Sequence, residues 1–310
     1  MHAAFFVLFC VACSIHVVDS FWFERGARHT NGRVVDIRDF GALPNASDAA
    51  TAVANAAAIN TAFSNLTAGD TLLVPAEFEF YTVGGLLLQD AEDVTLQING
   101  TLNALDDFEH WPVDSQGGSF LHFLSIVNSS HITLQGPNSD PQSLSKIDGR
   151  GKKWWNAFIL GTLKYKRPKL IMVVSCKNML VQDILLHSSP SFHLDLSGVV
   201  ETEVGNVTVI TDRQDIRASK AVLRQKRGYA TNFTGEPGLE PEDLNTDGID
   251  PSGEDIWIHD CHILNDDDSI AVKPCANSTG RCAFSSCSQN MLIEDMVMTG
   301  GGTMQAQSKR

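Results

Sequence analysis

Val181-Gln182-Asp183-Ile184-Leu185-Leu186 and Val204-Gly205-Asn206-Val207-Thr208-Val209 are two copies of one pattern: apolar, any, Asp or Asn, any, any, apolar. Ile258-His259-Asp260-Cys261-His262-Ile263 and Ile293-Glu294-Asp295-Met296-Val297-Met298 repeat it, with first residues successively 23, 54 and 35 positions apart. Weaker copies stand at Val94-Thr95-Leu96-Gln97-Ile98 and His131-Ile132-Thr133-Leu134-Gln135. Short β-type runs recurring every twenty-odd residues, with few helical patterns, predict an all-β chain wound as a single-stranded parallel β-helix. Each rung would turn alternate side chains inward and pair its backbone with the rungs above and below, about 4.8 Å away. The spacing of 23 reads as one coil, 54 as about two coils with extra loop, and 35 as one coil with an insertion. Asp183, Asn206, Asp260 and Asp295 recur at one phase, which reads as a polar turn or an Asn/Asp ladder between strands.

Other segments break the period. Ala49 to Phe63 is Ala-rich, with Ala57, Ile59 and Phe63 on a plausible helix face and Asp48 or Ser47 available as its N-cap. Such a helix would cover the open end of the solenoid, whose bare backbone otherwise recruits strands. Residues 213–243 are polar, charged and Gly/Pro-bearing, and read as a surface insertion, within which Lys220 to Arg227 is compatible with a solvated helix. Residues 1–20 read as a secretory signal with an apolar stretch from Ala3 to Val18, an N-terminal anchor being the alternative; residues 21–310 then form one β-helix domain. Seven Asn-X-Ser/Thr sequons, at Asn45, Asn65, Asn99, Asn128, Asn206, Asn232 and Asn277, fit a glycosylated, extracellular protein. Cys275, Cys282 and Cys287 crowd one stretch and read as a disulfide-pinned loop; their spacing, with no His among them, disfavours zinc.

The chain has 310 residues, long for one compact core but ordinary for a fold that grows by stacking. No apolar run beyond the N-terminus reaches membrane-spanning length, so a soluble chain without a membrane partner is expected. A net charge of −14 without a dominant basic stripe argues against nucleic acid as a partner. An acidic substrate would have to be drawn locally, by residues such as Arg150, Lys152, Lys153 and Lys273.

Against this repeat, Asp247 in Asn245-Thr246-Asp247-Gly248-Ile249-Asp250 and Asp267 in Asn265-Asp266-Asp267-Asp268 stand 20 residues apart, close to one coil. The same phase falls near His193 and Asp212-Arg213 in preceding coils and near Gly300-Gly301-Gly302 in the following one. Stacking would bring Asp247, Asp267 and Asp268 to one groove with His193. Crowded carboxylates cannot all ionise freely, so one can stay protonated as a general acid while its neighbours activate water. Consecutive strand residues point to opposite faces, so Asp267 and Asp268 share the groove only if the backbone bends there. Alternatives stand beside each reading. The Asp run also suits a solvated loop or a calcium site, and Asp247-Gly248 a simple turn. Asp250 and Asp266 read as structural or solvated, His193 as a core residue or a substrate contact. Lys273 reads as a surface lysine or a partner for a substrate carboxylate. Trp154 and Trp155 suit the core or a sugar-stacking edge.

With these residues the chain resembles the polygalacturonases, glycoside hydrolase family 28. The resemblance runs over roughly residues 34–300. It includes Asp39-Phe40-Gly41-Ala42, Ile147-Asp148-Gly149-Arg150-Gly151 with Trp154-Trp155, Arg167-Pro168 and Ser189-Pro190-Ser191-Phe192-His193. Asn245 to Asp250 and Asp267-Asp268-Ser269-Ile270-Ala271-Val272 carry most of its specificity. It implies a right-handed parallel β-helix and metal-free, cofactor-free, inverting hydrolysis of glycosidic bonds in pectic galacturonan. A monomer acting outside the cell, at a cell wall, is expected. Asp267 is then similar to the general acid, and Asp247 with Asp268 to the pair that activates water. His193 and Lys273 fall to substrate binding. Two departures stand out: Thr299-Gly300-Gly301-Gly302-Thr303 takes the place of the family's Gly-His-Gly, and no Arg-Ile-Lys segment follows before Arg310. The resemblance implies further coils beyond that point. A carbohydrate-binding β-helix with impaired catalysis and a calcium-dependent, pectate-lyase-like enzyme are the alternative readings.

Overall fold

A computed structural model describes residues 32–212, 214–215, 244–274 and 288–306, with the strand Phe5–Phe6; for that strand and for 301–306 the backbone alone is described. The rest of the expected signal segment, nearly all of 213–243, and Cys275, Cys282 and Cys287 lie outside the described residues.

The strands stack in three parallel walls. The first runs from Val34–Asp36 through Thr71–Val74, Glu92–Ile98 and Ser130–Gln135 into Lys177–His187, Leu194–Ile210, Ile249–His259 and Gln289–Glu294. The second runs from Glu79–Thr82 through Thr101–Ala104 and Lys146–Asp148, then along later parts of the same long strands to His262–Val272 and Val297–Ala306. The third joins Leu86–Gln89, Leu124–Val127 and Ile171–Val174 to the starts of Leu194–Ile210 and Ile249–His259 and the end of His262–Val272. The chain visits the walls in turn, giving a single-stranded parallel β-helix with the right-handed course that twisted strands impose on parallel crossovers.

The repeat read from the sequence is one column of this stack. Leu96, Leu134, Val181, Val204, Ile258 and Ile293 are successive register partners, all buried inward. One expectation is corrected here. Val204 pairs directly with Ile258, so the spacing of 54 is a single coil, not two. The added residues leave after Thr211 and return before Gly248, and an excursion at a corner lengthens the chain without changing the register. Asp212 consequently sits at the corner facing the next rung, because Thr211 N–H donates to Leu264 O at 2.8 Å.

The polar phase of the repeat is a corner. Asp183, Asn206, Asp260 and Asp295 have φ of 53°, 50°, 52° and 50°. Asn and Asp tolerate this left-handed conformation better than other residues with a Cβ. The corners also bond along the stack: Asn206 Nδ2 donates to Asp183 Oδ1 at 2.7 Å, and at another corner Asn128 Nδ2 donates to Asp90 Oδ1 at 2.6 Å.

Helix α1, Ala49–Ser64, is capped by Asp48, whose carboxylate accepts from Thr51 N–H at 2.9 Å. It buries Ala52, Ala56, Ile59 and Phe63; Ala57, expected on that face, points outward. Its two asparagines do what a preceding rung would do. Asn55 Nδ2 donates to Leu43 O and Tyr81 O at 3.0 and 2.9 Å, and Asn60 Oδ1 accepts from Leu87 N–H at 2.9 Å while its Nδ2 donates to Gly85 O at 3.0 Å. The first strands of two walls thus have backbone groups satisfied by side-chain amides instead of by another chain.

Replacing Asp183 separates conformation from bonding. Asp183→Val places a β-branched residue at positive φ and removes the bond to Asn206, and is expected to cost about 2–3 kcal/mol. Asp183→Gly, which loses the bond alone, should cost about 1 kcal/mol or less. Urea unfolding of the two variants beside the parent checks the order.

Candidate active site

The third wall begins where three rungs meet. His193 N–H donates to Asp247 O at 2.9 Å, and Gly248 N–H donates to Asp268 O at 2.9 Å. Asp247 and Asp268 therefore occupy the same corner one coil apart, with His193 on the coil before. Asp267 joins them because the strand bulges: Asn265 pairs with Gly300 but Asp268 with Gly302, so one strand spends an extra residue. This is the bend that a groove shared by Asp267 and Asp268 required. Oxygens of Asp247, Asp267 and Asp268 lie within 4.8 Å of one another. Such a set can share a proton or hold a divalent cation.

Backbone and buried side chains hold this arrangement. Asn245, at φ 50°, donates its N–H to Asp267 Oδ2 at 3.1 Å, and Asp268 N–H donates to Asp267 Oδ1 at 2.9 Å. Fully buried Asn265 donates through Nδ2 to Thr246 O at 3.2 Å and to Asp268 O at 2.8 Å, tying the two acidic loops together. Arg167 donates through one nitrogen to Pro190 O at 2.8 Å and Leu244 O at 2.6 Å, joining the approach to His193 to the approach to Asp247. On helix α2, Lys152–Ile159, Trp155 Nε1 donates to Ser189 O at 3.1 Å. Trp154 and Trp155 are both completely buried, so the expected alternative of a sugar-stacking edge falls away.

Burial and like charge set the electrostatics. Asp247 is only 4% exposed, and its carboxyl is pushed up to about 6, by burial first and by Asp267 next, against the pull of Lys273. Burial, then Asp267, also raises Asp268. Behind them Asp250 is completely buried and raised well above the carboxylate range, by burial first and then by Asp247. Lys273 Nζ stands 3.5 Å from Asp247 Oδ2 and 3.4 Å from Asp250 Oδ2, with its side chain 21% exposed. It is therefore a largely buried counter-ion to both carboxyls.

His193 is corrected from a substrate contact to a buried support. It is 0% exposed; Nδ1 meets Asp247 O at 2.9 Å, and Nε2 accepts from Ser189 N–H at 3.2 Å. These bonds define a neutral ring donating through Nδ1. Burial holds its pKa down at about 4. Asn265, Arg167 and the Asp250–Lys273 pair were not singled out as site supports from the sequence. Only the spacing of Asp247 and Asp250, three residues apart, and the placement of Asn265 before the Asp run hint at them.

The sequence profile described as "Glycosyl hydrolases family 28" matches residues 66–304, well over half of the chain. The chain belongs to glycosyl hydrolases family 28. Among curated proteins, a "Probable polygalacturonase" from Vitis vinifera is 27% identical over 66% of this chain and 37% of its own length. The "Endo-xylogalacturonan hydrolase A" of Aspergillus tubingensis is 24% identical over 71% of this chain and 46% of its own. The chain thus spans less than half the length of these two family relatives. The solved structure of a hyperthermoactive exopolygalacturonase from Thermotoga maritima superposes with a TM-score of 0.61 at 18% identity, covering 91% of this chain and 64% of that one. An endo-xylogalacturonan hydrolase structure from Aspergillus tubingensis gives 0.56 at 21% identity, covering 78% and 54%. Both solved structures share the fold.

The buried neutral His193 makes stability depend on pH. Its native pKa lies below the unfolded value of about 6.5, so its contribution is complete above that value and is lost as pH falls toward 4. The change is roughly 3 kcal/mol across this window. Urea unfolding of His193→Gln should show this part of the slope removed relative to the parent.

Proposed function

We propose that this site hydrolyses glycosidic bonds in pectic polysaccharide, with galacturonan as the substrate class and the outside of the cell, at a cell wall, as its place of action. The observation that carries the reading is the convergence of Asp247, Asp267 and Asp268 within 4.8 Å on one rung boundary of a family 28 β-helix. Asp267 delivers a proton to the leaving oxygen. Asp247 and Asp268 together hold and deprotonate the attacking water. His193 fixes the backbone of Asp247 from behind.

The chemistry needs a proton kept in an acidic cluster and a base released from it. Like charges this close oppose simultaneous ionisation, so the cluster retains a proton into weakly acidic solution. Asp247 must be ionised to act as a base, and burial has raised its pKa. The facing oxygens are nearer than the ~6.5–9.5 Å of most inverting pairs. In this reading water is held by Asp247 and Asp268 jointly, not in a wide gap between one acid and one base. No helix among the described residues is long and apolar enough to cross a membrane.

A binding role without turnover is the second reading, favoured by one observation: the register partner of Asp268 on the next rung is Gly302, in the stretch that replaces the family's Gly-His-Gly. Incubation with polygalacturonate separates the readings. Hydrolysis predicts release of reducing ends and a first product of inverted anomeric configuration by proton NMR. Asp247→Asn, Asp267→Asn and Asp268→Asn should each reduce the rate by at least about 100-fold with folding retained. Affinity for pectic oligomers without release would establish the binding module. Unsaturated uronide products abolished by a chelator would show a lyase.

For the hydrolase, the rate should rise with pH through about 6, because ionisation of Asp247 is the step that completes the base. An acidic limb near 4, the ordinary carboxylate value, would remove Asp247 from that role.

A further inference from the structure

Lys273 lies just after the last strand residues of the third wall, yet its charge is turned into the molecule. Ile249 and Ile270 are register partners, so Asp250 and Ala271 lie side by side, and Lys273, two residues on, faces the same way. The backbone there is held by Lys273 N–H donating to Pro251 O at 2.9 Å and by Ser288 Oγ donating to Lys273 O at 2.7 Å. From this anchor the ammonium reaches Asp250 at 3.4 Å and Asp247 at 3.5 Å, with the Phe192 ring centroid 5.2 Å away. Neither oxygen of fully buried Asp250 has a well-formed hydrogen bond among the described residues. A buried carboxyl without hydrogen bonds is costly, and a cation shared with a second carboxyl gives it a reason to exist.

We propose that Lys273 is a positioning residue: its ammonium, clamped between Asp250 and Asp247 beside Phe192, keeps Asp247 ionised and turned toward Asp267 and Asp268. The inference rests on the reading of Asp247 as part of the water-activating pair. Among the described residues, the charged groups around Asp247 come from three rungs. Asp267 and Asp268 face Asp247 from the next rung, and Asp250 lies on its own strand. The preceding rung brings neutral His193 and Asp195 with its partner Lys169, whose ammonium lies 4.9 Å from the centroid of the Phe192 ring. Lys169 is committed to Asp195, so Lys273 is the cation left to oppose the acids around Asp247 among the described residues. Two like charges raise an acid's pKa, and one opposite charge at this distance lowers it by about one unit or more.

The test follows the carboxyl of Asp247 itself. In the full chain labelled with carboxyl-¹³C aspartate, the Asp247 resonance is assigned through Asp247→Asn and titrated in parent, Lys273→Met and Lys273→Arg. Lys273→Met should raise the Asp247 midpoint by about one unit or more, and carry the acidic limb of kcat up with it, while KM changes less. Lys273→Arg should keep both near the parent. A folded Lys273→Met protein with an unmoved midpoint overturns the proposal. So does a raised KM with an unmoved acidic limb, which would make Lys273 a grip on the substrate. If Lys273→Met does not fold, Lys273→Gln takes its place: the Asp247 midpoint should rise by about one unit or more, and an unmoved midpoint overturns the proposal. The titration needs no turnover. A chain that hydrolyses nothing yet shows the shift therefore fails the catalytic reading alone and keeps the Lys273–Asp247 coupling.

Discussion

Two backbone hydrogen bonds, from His193 N–H to Asp247 O and from Gly248 N–H to Asp268 O, set the spacing on which the site depends. Neither involves a side chain that does chemistry. They are rungs of a ladder, repeated at this corner because every strand of the third wall must satisfy its peptide groups along the stack. The consequence is geometric: residues far apart in the chain acquire a fixed vertical separation, and carboxylates that repel are held close by groups that cannot relax apart. Repulsion is then carried by the fold as a whole, through Asn265 and Arg167, which tie loops of the site together, and Trp155, which ties helix α2 to Ser189.

The same rigidity explains why charge is layered behind the groove. Asp250 is deeper than Asp247, and Lys273 lies between them with only a fifth of its side chain open to water. Such an arrangement is poor as a source of stability, since burying charge is costly even when it is paired. It makes sense as a way to choose which member of an acidic cluster ionises. His193 works on the same site by the opposite means, staying neutral so that its ring can support a carbonyl without adding charge.

The stack was legible in the sequence because two demands recur in every coil. Inward positions such as Val181, Val204 and Ile258 must be apolar, and corners such as Asp183 and Asn206 need residues that accept left-handed backbone. Convergence of Asp247, Asp267 and Asp268 followed from counting along that period. The count failed between Val204 and Ile258, where length was read as winding, because an insertion at a corner is invisible to register. Direction was harder than position. His193 was placed on the correct wall, yet whether its ring met solvent or core depended on Ser189, earlier in its own turn, and on Thr211 of the next coil. Lys273 and Asp250 were equally opaque, because a lysine at the end of a strand looks solvated until its neighbours one rung away are known.

The detour between Thr211 and Gly248 carries a lesson about how such a molecule can change over evolutionary time. It is spliced into the connection that leads directly to Asp247, yet the rungs on either side still meet residue for residue. The length of that connection leaves the pairing of the rungs untouched. Selection could therefore change it while the stacking of Asp247 on Asp268 is inherited unchanged.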